Sequence, residues 1–140
     1  MSDLRRRLSP VALDLLSGFR AALVNGPRQA GKSTLVHQVQ RDRGPVVNLD
    51  DHAVLAVALA DPIGFLDQIP ELAAIDEFQR GGDPLLLAVK MKLDASNRRG
   101  QYLLAGSTRF LSIRRLSETL TGRIGIVELL PLSAGEIRDA

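Results

Sequence analysis

A glycine-rich stretch set between an apolar run and a helical pattern constrains this chain more than any other feature. Residues 21–25 (AALVN) are continuously apolar up to a closing asparagine. Gly26, Pro27, Arg28, Gln29, Ala30, Gly31, Lys32 and Ser33 follow and fit the pattern G-x-x-x-x-G-K-[ST], and the spacing predicts a helix over 32–40. Each residue type has a physical task there. Glycines let the backbone curl closely around an anion. Successive N–H groups and a helix N-terminus offer it partial positive charge. The Lys32 ammonium would reach the β- and γ-phosphates of a nucleotide, the Ser33 hydroxyl would ligate Mg2+, and Thr34 would add a phosphate contact. The competing explanation is a plain glycine turn with a surface lysine, and a strand before it with a helix after it weighs against that.

The rest of the chain repeats the same alternation. Short apolar runs occupy 46–49 (VVNL), 72–75 (LAAI), 102–105 (YLLA) and 124–130 (IGIVELL). None alternates cleanly with polar residues, as expected for parallel strands buried on both faces. Helical patterns fall at 10–16, 53–59, 62–69, 85–94 and 110–120; Ser9-Pro10 and Asp83-Pro84 open two of them as a capping residue followed by a proline, and a break at Asp61-Pro62 separates 53–59 from 62–69. The expectation is an α/β fold in a single domain spanning 1–140. Ser133 and Glu136 have the spacing of a capping box only a few residues before the last one, so we expect the natural protein to continue.

Two carboxylates close the third run. Asp76 and Glu77 follow an apolar strand, and ligands of a parallel sheet sit beyond the carboxyl ends of its strands. Asp76 would hold Mg2+, largely through water, and Glu77 would polarise the attacking water as a general base. The alternative is a strand that simply ends at a solvated turn. Asp76-Glu77-Phe78-Gln79 is not the Asp-x-x-Gly expected at this place in a guanine-nucleotide enzyme, and Asn-Lys-x-Asp is absent, which favours ATP. Ser107 ends the fourth run, where a hydroxyl can sense the γ-phosphate or cap the next helix. Arg123 stands at a Thr121-Gly122 turn. It would either complete the site of a neighbouring copy in a homo-oligomer or neutralise a helix C-terminus, with Arg109, Arg114 and Arg115 as rivals. Asp50 and Asp51 end the second run, near the site or as caps.

Composition removes other classes. Cysteine is absent, which excludes disulfide scaffolds, thiol catalysis and zinc knuckles, and only His37 and His52 could supply imidazole to a metal. Net charge is +2 and aromatics are 4%, too little for a stacking platform, so nucleic acid is a weakly supported partner. No apolar run reaches the length of a membrane span, and a cytoplasmic protein is expected.

Taken together, the glycine loop with Pro27-Arg28-Gln29 inside it, Val46-Val-Asn-Leu-Asp-Asp51, Asp61-Pro62, Ile75-Asp-Glu-Phe-Gln-Arg80, Leu104-Ala-Gly-Ser107, Leu120-Thr-Gly-Arg123 and Leu130-Pro-Leu-Ser133 resemble the prokaryotic AAA-type ATP-binding proteins that carry a C-terminal domain of unknown function. The resemblance runs from about Leu4 to the end. It implies a three-layer P-loop NTPase fold of the additional-strand class, with a mostly parallel five-stranded sheet in the order 5-1-4-3-2. It also implies that a helical lid and a C-terminal domain follow in the whole protein, and that Lys32, Ser33, Asp76 and Glu77 act as argued above. The expected function is Mg2+-dependent ATP hydrolysis coupled to an unknown protein partner. The alternatives are a nucleotide-switched binding module with little hydrolysis and a nucleic-acid-associated ATPase; a small-molecule kinase fits less well, because adjacent Asp and Glu suit water as the acceptor.

Overall fold

A strand covered on both faces has to be apolar at every position, and the structure shows why these runs are. The computed structural model describes residues 2–26, 32–107, 115–116 and 118–128, with side chains from residue 10 to residue 127. Five strands, β1 (Ala21–Asn25), β2 (Val46–Asn48), β3 (Ala74–Asp76), β4 (Tyr102–Gly106) and β5 (Ile124–Glu128), form one sheet in the order β2-β3-β4-β1-β5. Every pairing is parallel. Read from the β5 edge, the order is the 5-1-4-3-2 that the resemblance implies.

Successive strand residues divide between two cores. Ala22, Val24, Ala74, Leu103, Ala105 and Val127 pack with Ala12 and Leu16 of α1 (Ser2–Gly18) and with Leu35, Val36 and Val39 of α2 (Lys32–Gln40). Their neighbours Leu23, Ile75 and Leu104 pack on the other side. There they meet Ala58 of α3 (His52–Ala60), Phe65 and Leu66 of α4 (Pro62–Gln68), and Leu85, Val89 and Leu93 of α5 (Gly82–Asp94). Each fully buried leucine there contributes about 1.5–3 kcal/mol.

Helix starts follow local chemistry. The Asp51 carboxylate caps α3, accepting from Ala53 N at 3.0 Å and Val54 N at 3.4 Å. Asp61 caps α4, accepting from Gly64 N at 3.0 Å with Pro62 in the first turn.

Several local expectations need correction. Pro10 does not start a helix; it lies inside α1, where it is exposed and water can replace the lost backbone bond. Asp83 and Pro84 do not cap and open α5, because the helix starts at Gly82 with Gly81 as its cap and Asp83 falls in the first turn. The third strand begins at Ala74 instead of 72, because Leu72 takes a left-handed backbone (φ 63°). A 3-10 turn, Phe78–Gly81, joins β3 to α5 and has no simple sequence signature. Of the helix expected at 110–120, residues 115, 116, 118 and 119 are described and helical. The glycine loop from Pro27 to Gly31, Thr108, Arg109, Arg114 and the capping box at Ser133 lie outside the described residues.

Candidate functional site

In a parallel sheet the carboxyl ends of all strands lie along one edge, and the chain changes direction there. Gly26 leaves β1 at that edge and donates its N–H to Gly106 O at the end of β4, 3.2 Å away. Lys32 opens α2 at the same edge. β3 ends there at Asp76, whose carbonyl accepts from Leu49 N at 3.1 Å and so ties in the turn after β2.

Lys32, Asp76 and Glu77 meet in a buried ion cluster. Lys32 Nζ lies 2.9 Å from Asp76 Oδ1 and 3.0 Å from Glu77 Oε2. The three residues are only 2%, 3% and 3% exposed. One cation therefore faces two anions where water does not screen them. Ser33 Oγ donates to the second Asp76 oxygen, Oδ2, at 3.4 Å, and Thr34 is exposed on the first turn of α2. Glu77 holds a left-handed backbone (φ 53°, ψ 43°), which costs a residue other than glycine about 1–3 kcal/mol. Local bonds fix it: Glu77 N donates to Asp76 Oδ1 at 2.8 Å, and its carbonyl accepts from Arg80 N at 3.1 Å. Phe78, 3% exposed, anchors the next residue in the core. The kink turns both carboxylates toward Lys32.

Ser107 follows β4, which lies between β1 and β3, so it stands at the same edge as the cluster. Its hydroxyl oxygen is buried and has no hydrogen-bond partner among the described residues. The residues that would begin the helix it is alternatively expected to cap lie outside the described ones.

Arg123 is not brought to this cluster. It precedes β5, and its carbonyl accepts from Ala21 N at the start of β1, so it sits at the amino edge of the sheet. Its guanidinium bonds Asp94 through Nε and the Thr121 carbonyl through a terminal nitrogen at 3.0 Å. Arg20 and Lys90 also approach Asp94, at 3.8 and 3.6 Å. The Arg123 hydrogen bond, above all, holds the Asp94 carboxyl below its ordinary value, against an opposing effect of desolvation. Of the rival arginines, Arg115 pairs with Asp83 at 2.7 Å.

Two features at the site have no clear signal in the sequence. One is the backbone of Glu77. The other is an ion pair between Arg80 Nε and Asp50 Oδ1 at 2.5 Å, which ties the 3-10 turn behind Glu77 to the turn after β2. Asp51 takes the cap and leaves Asp50 for this pair; the adjacent aspartates alone do not say which does which.

Among the described residues no cluster of three or more histidine, aspartate or glutamate side chains could hold a metal ion alone. Asp76 and Ser33 offer hard oxygens of the kind Mg2+ takes, which it completes with water and phosphate oxygens. Among the described residues, too, no helix is long and apolar enough to cross a membrane.

Comparison with known proteins places this arrangement. Over 116 residues the chain is 35% identical to two proteins described as uncharacterised, one from Mycobacterium bovis and one from Mycobacterium tuberculosis. The match covers 82% of this chain and 26% of each relative, so the chain spans about a quarter of their length. Among solved structures it resembles the P-loop NTPase domain of a sigma-54 transport activator from E. coli, with a TM-score of 0.57 and 14% identity, over 94% of this chain and 98% of that one. It also resembles AMPPCP-bound DnaA from Aquifex aeolicus, with a TM-score of 0.56 and 16% identity, over 89% of this chain and 44% of that one. At such identities the likeness concerns the fold, which is that of the P-loop NTPases. The family described as AAA domain matches residues 18–138, nearly the whole chain with both the glycine motif and the acidic pair, and the protein belongs to that family.

Proposed function

We propose that this domain binds ATP with Mg2+ and hydrolyses it, and that the whole protein couples this to a partner. The observation that carries the reading is the buried cluster of Lys32, Asp76 and Glu77 at the carboxyl edge of the sheet. An isolated cluster of this kind is a poor source of stability, since desolvation offsets most of the Coulomb gain. It is well suited to a ligand that brings charge of its own.

In this reading the loop from Gly26 to Gly31 wraps the phosphates with backbone N–H groups, and α2 points its N-terminus at them. Lys32 leaves the acids for the β- and γ-phosphates, and Thr34 adds a contact. Asp76 and Ser33 would hold Mg2+, which when bound neutralises charge on the phosphate oxygens. Glu77, freed from Lys32, takes a proton from the attacking water, and its fixed backbone keeps that carboxylate aimed. The Ser107 hydroxyl, which has no hydrogen-bond partner among the described residues, would bond the γ-phosphate or that water. Arg123, at the opposite edge, could serve only the site of another copy, which requires a homo-oligomer.

The test is Glu77→Gln in the full-length protein. ATP binding should persist while turnover falls by about 100-fold or more. Undiminished turnover would remove Glu77 as the base.

A further inference from the structure

A partner coupled to hydrolysis needs a seat on this domain, and the segment that follows Glu77 offers one. The partner's existence rests on the reading above; its chemistry is set by a cavity. This cavity, of about 180 Å3, lies between the 3-10 turn, the first turns of α5 and residues 115 and 116. The buried side chains of Phe78, Leu86 and Leu116 line it with apolar surface. Gln79 lines it too. The Gln79 carbonyl accepts from Gly82 N, but its side-chain oxygen, Oε1, is buried with no hydrogen-bond partner among the described residues. A buried acceptor left unpaired is costly, and a donor brought by a ligand removes that cost. Asp83 and Arg115 complete the lining as an exposed ion pair, 2.7 Å apart.

These features select the occupant. Small-molecule sites run to about 300–1,000 Å3, so this smaller cavity suits a single side chain of a larger partner. The charges of Asp83 and Arg115 cancel, so the lining offers no net attraction to the phosphates of a nucleic acid. The orphaned acceptor calls for a donor beside an apolar group, and a polypeptide carries an N–H next to each of its side chains. The neighbouring surface continues the match: Leu87 and Met91 lie one and two turns along α5 from Asp83 and are 55% and 63% exposed. We propose that this cavity is the docking site for an apolar peptide segment of the partner protein. A leucine-sized side chain fills it, and a peptide N–H bonds Gln79 Oε1. Phe78 and Gln79 directly follow Glu77, so an occupant here braces the turn that carries the base.

The test is an NMR titration of the isotope-labelled full chain with N-acetyl-leucine N-methylamide, which carries one apolar side chain between two N–H groups. The Gln79 side-chain amide and the Leu86 and Leu116 methyls should shift saturably, with a dissociation constant of about 1–10 mM. Leu35 and Val36, on the other side of the sheet, should not shift. The alanine analogue should bind at least about fivefold more weakly. Gln79→Met keeps the length but removes the acceptor, and should weaken the leucine probe at least about fivefold, with unchanged Leu35 and Val36 signals verifying its fold. Shifts that never saturate, equal binding of the alanine analogue, or undiminished binding to Gln79→Met overturn the proposal. Sodium phosphate shifting the same signals saturably also overturns it, in favour of an anionic partner. No nucleotide is present, so this titration and the Glu77→Gln turnover test fail independently.

Discussion

The two edges of the sheet carry ion clusters of opposite make-up. At the carboxyl edge one cation, Lys32, is shared by two buried acids. At the amino edge one acid, Asp94, is shared by Arg20, Lys90 and Arg123, and these side chains are 26–39% exposed. Water screens the second cluster, so each contact there is weak and replaceable. Nothing screens the first, so each charge there depends on the others. The contrast teaches that an ion pair's meaning is set by burial and by which charge is in excess, not by its distance alone.

Lys32→Met should have the largest effect. It strands two buried carboxylates, and the denaturant midpoint should fall by the equivalent of about 3–5 kcal/mol. A shift no larger than that of an exposed pair would mean the carboxyl edge is wetter than its burial implies. Glu77→Gln sharpens the comparison, because it leaves Lys32 paired with Asp76 and removes the surplus charge. Chemical denaturation should show a loss of about 1 kcal/mol or less, despite the loss of turnover. A loss as large as that of Lys32→Met would refute the argument from excess charge. Arg80→Ala breaks a pair at the same edge that is 42% and 37% exposed, and should cost about 0.2–1 kcal/mol in the same assay.

Asp94→Asn should have the smallest effect, and one that depends on pH and salt. The folded carboxyl lies below its ordinary value, so its stabilisation is present above the unfolded pKa and lost as pH falls through the folded one. Thermal melts of Asp94→Asn and the unaltered protein should differ slightly near neutrality, converge in acid, and converge in high salt. A difference that persists in acid would show that Asp94 acts through packing, not charge.

These contrasts track what the sequence discloses. Residues 21–25, the glycine motif and the helix over 32–40 are local signals, and β1 and α2 have the bounds the pattern predicts. The acidic pair is legible because an apolar strand that ends in two carboxylates points to the carboxyl edge of a parallel sheet. The left-handed turns at Leu72 and Glu77 are not legible, because neither residue favours that backbone and the surrounding bonds impose it. Nor are Arg123 with Asp94 and Arg80 with Asp50, each joining distant segments that meet only once the strand order is set. Pro10 misleads for the opposite reason: a proline signals a helix start reliably only where the chain before it is not already helical.

The most direct measurement is a crystal structure of the chain with Mg2+ and a non-hydrolysable ATP analogue. The account expects the terminal phosphates within hydrogen-bond distance of Lys32 Nζ, and that nitrogen withdrawn from Glu77 Oε2, 3.0 Å away here. A nucleotide bound elsewhere, with Lys32 still clasped by Asp76 and Glu77, would contradict it.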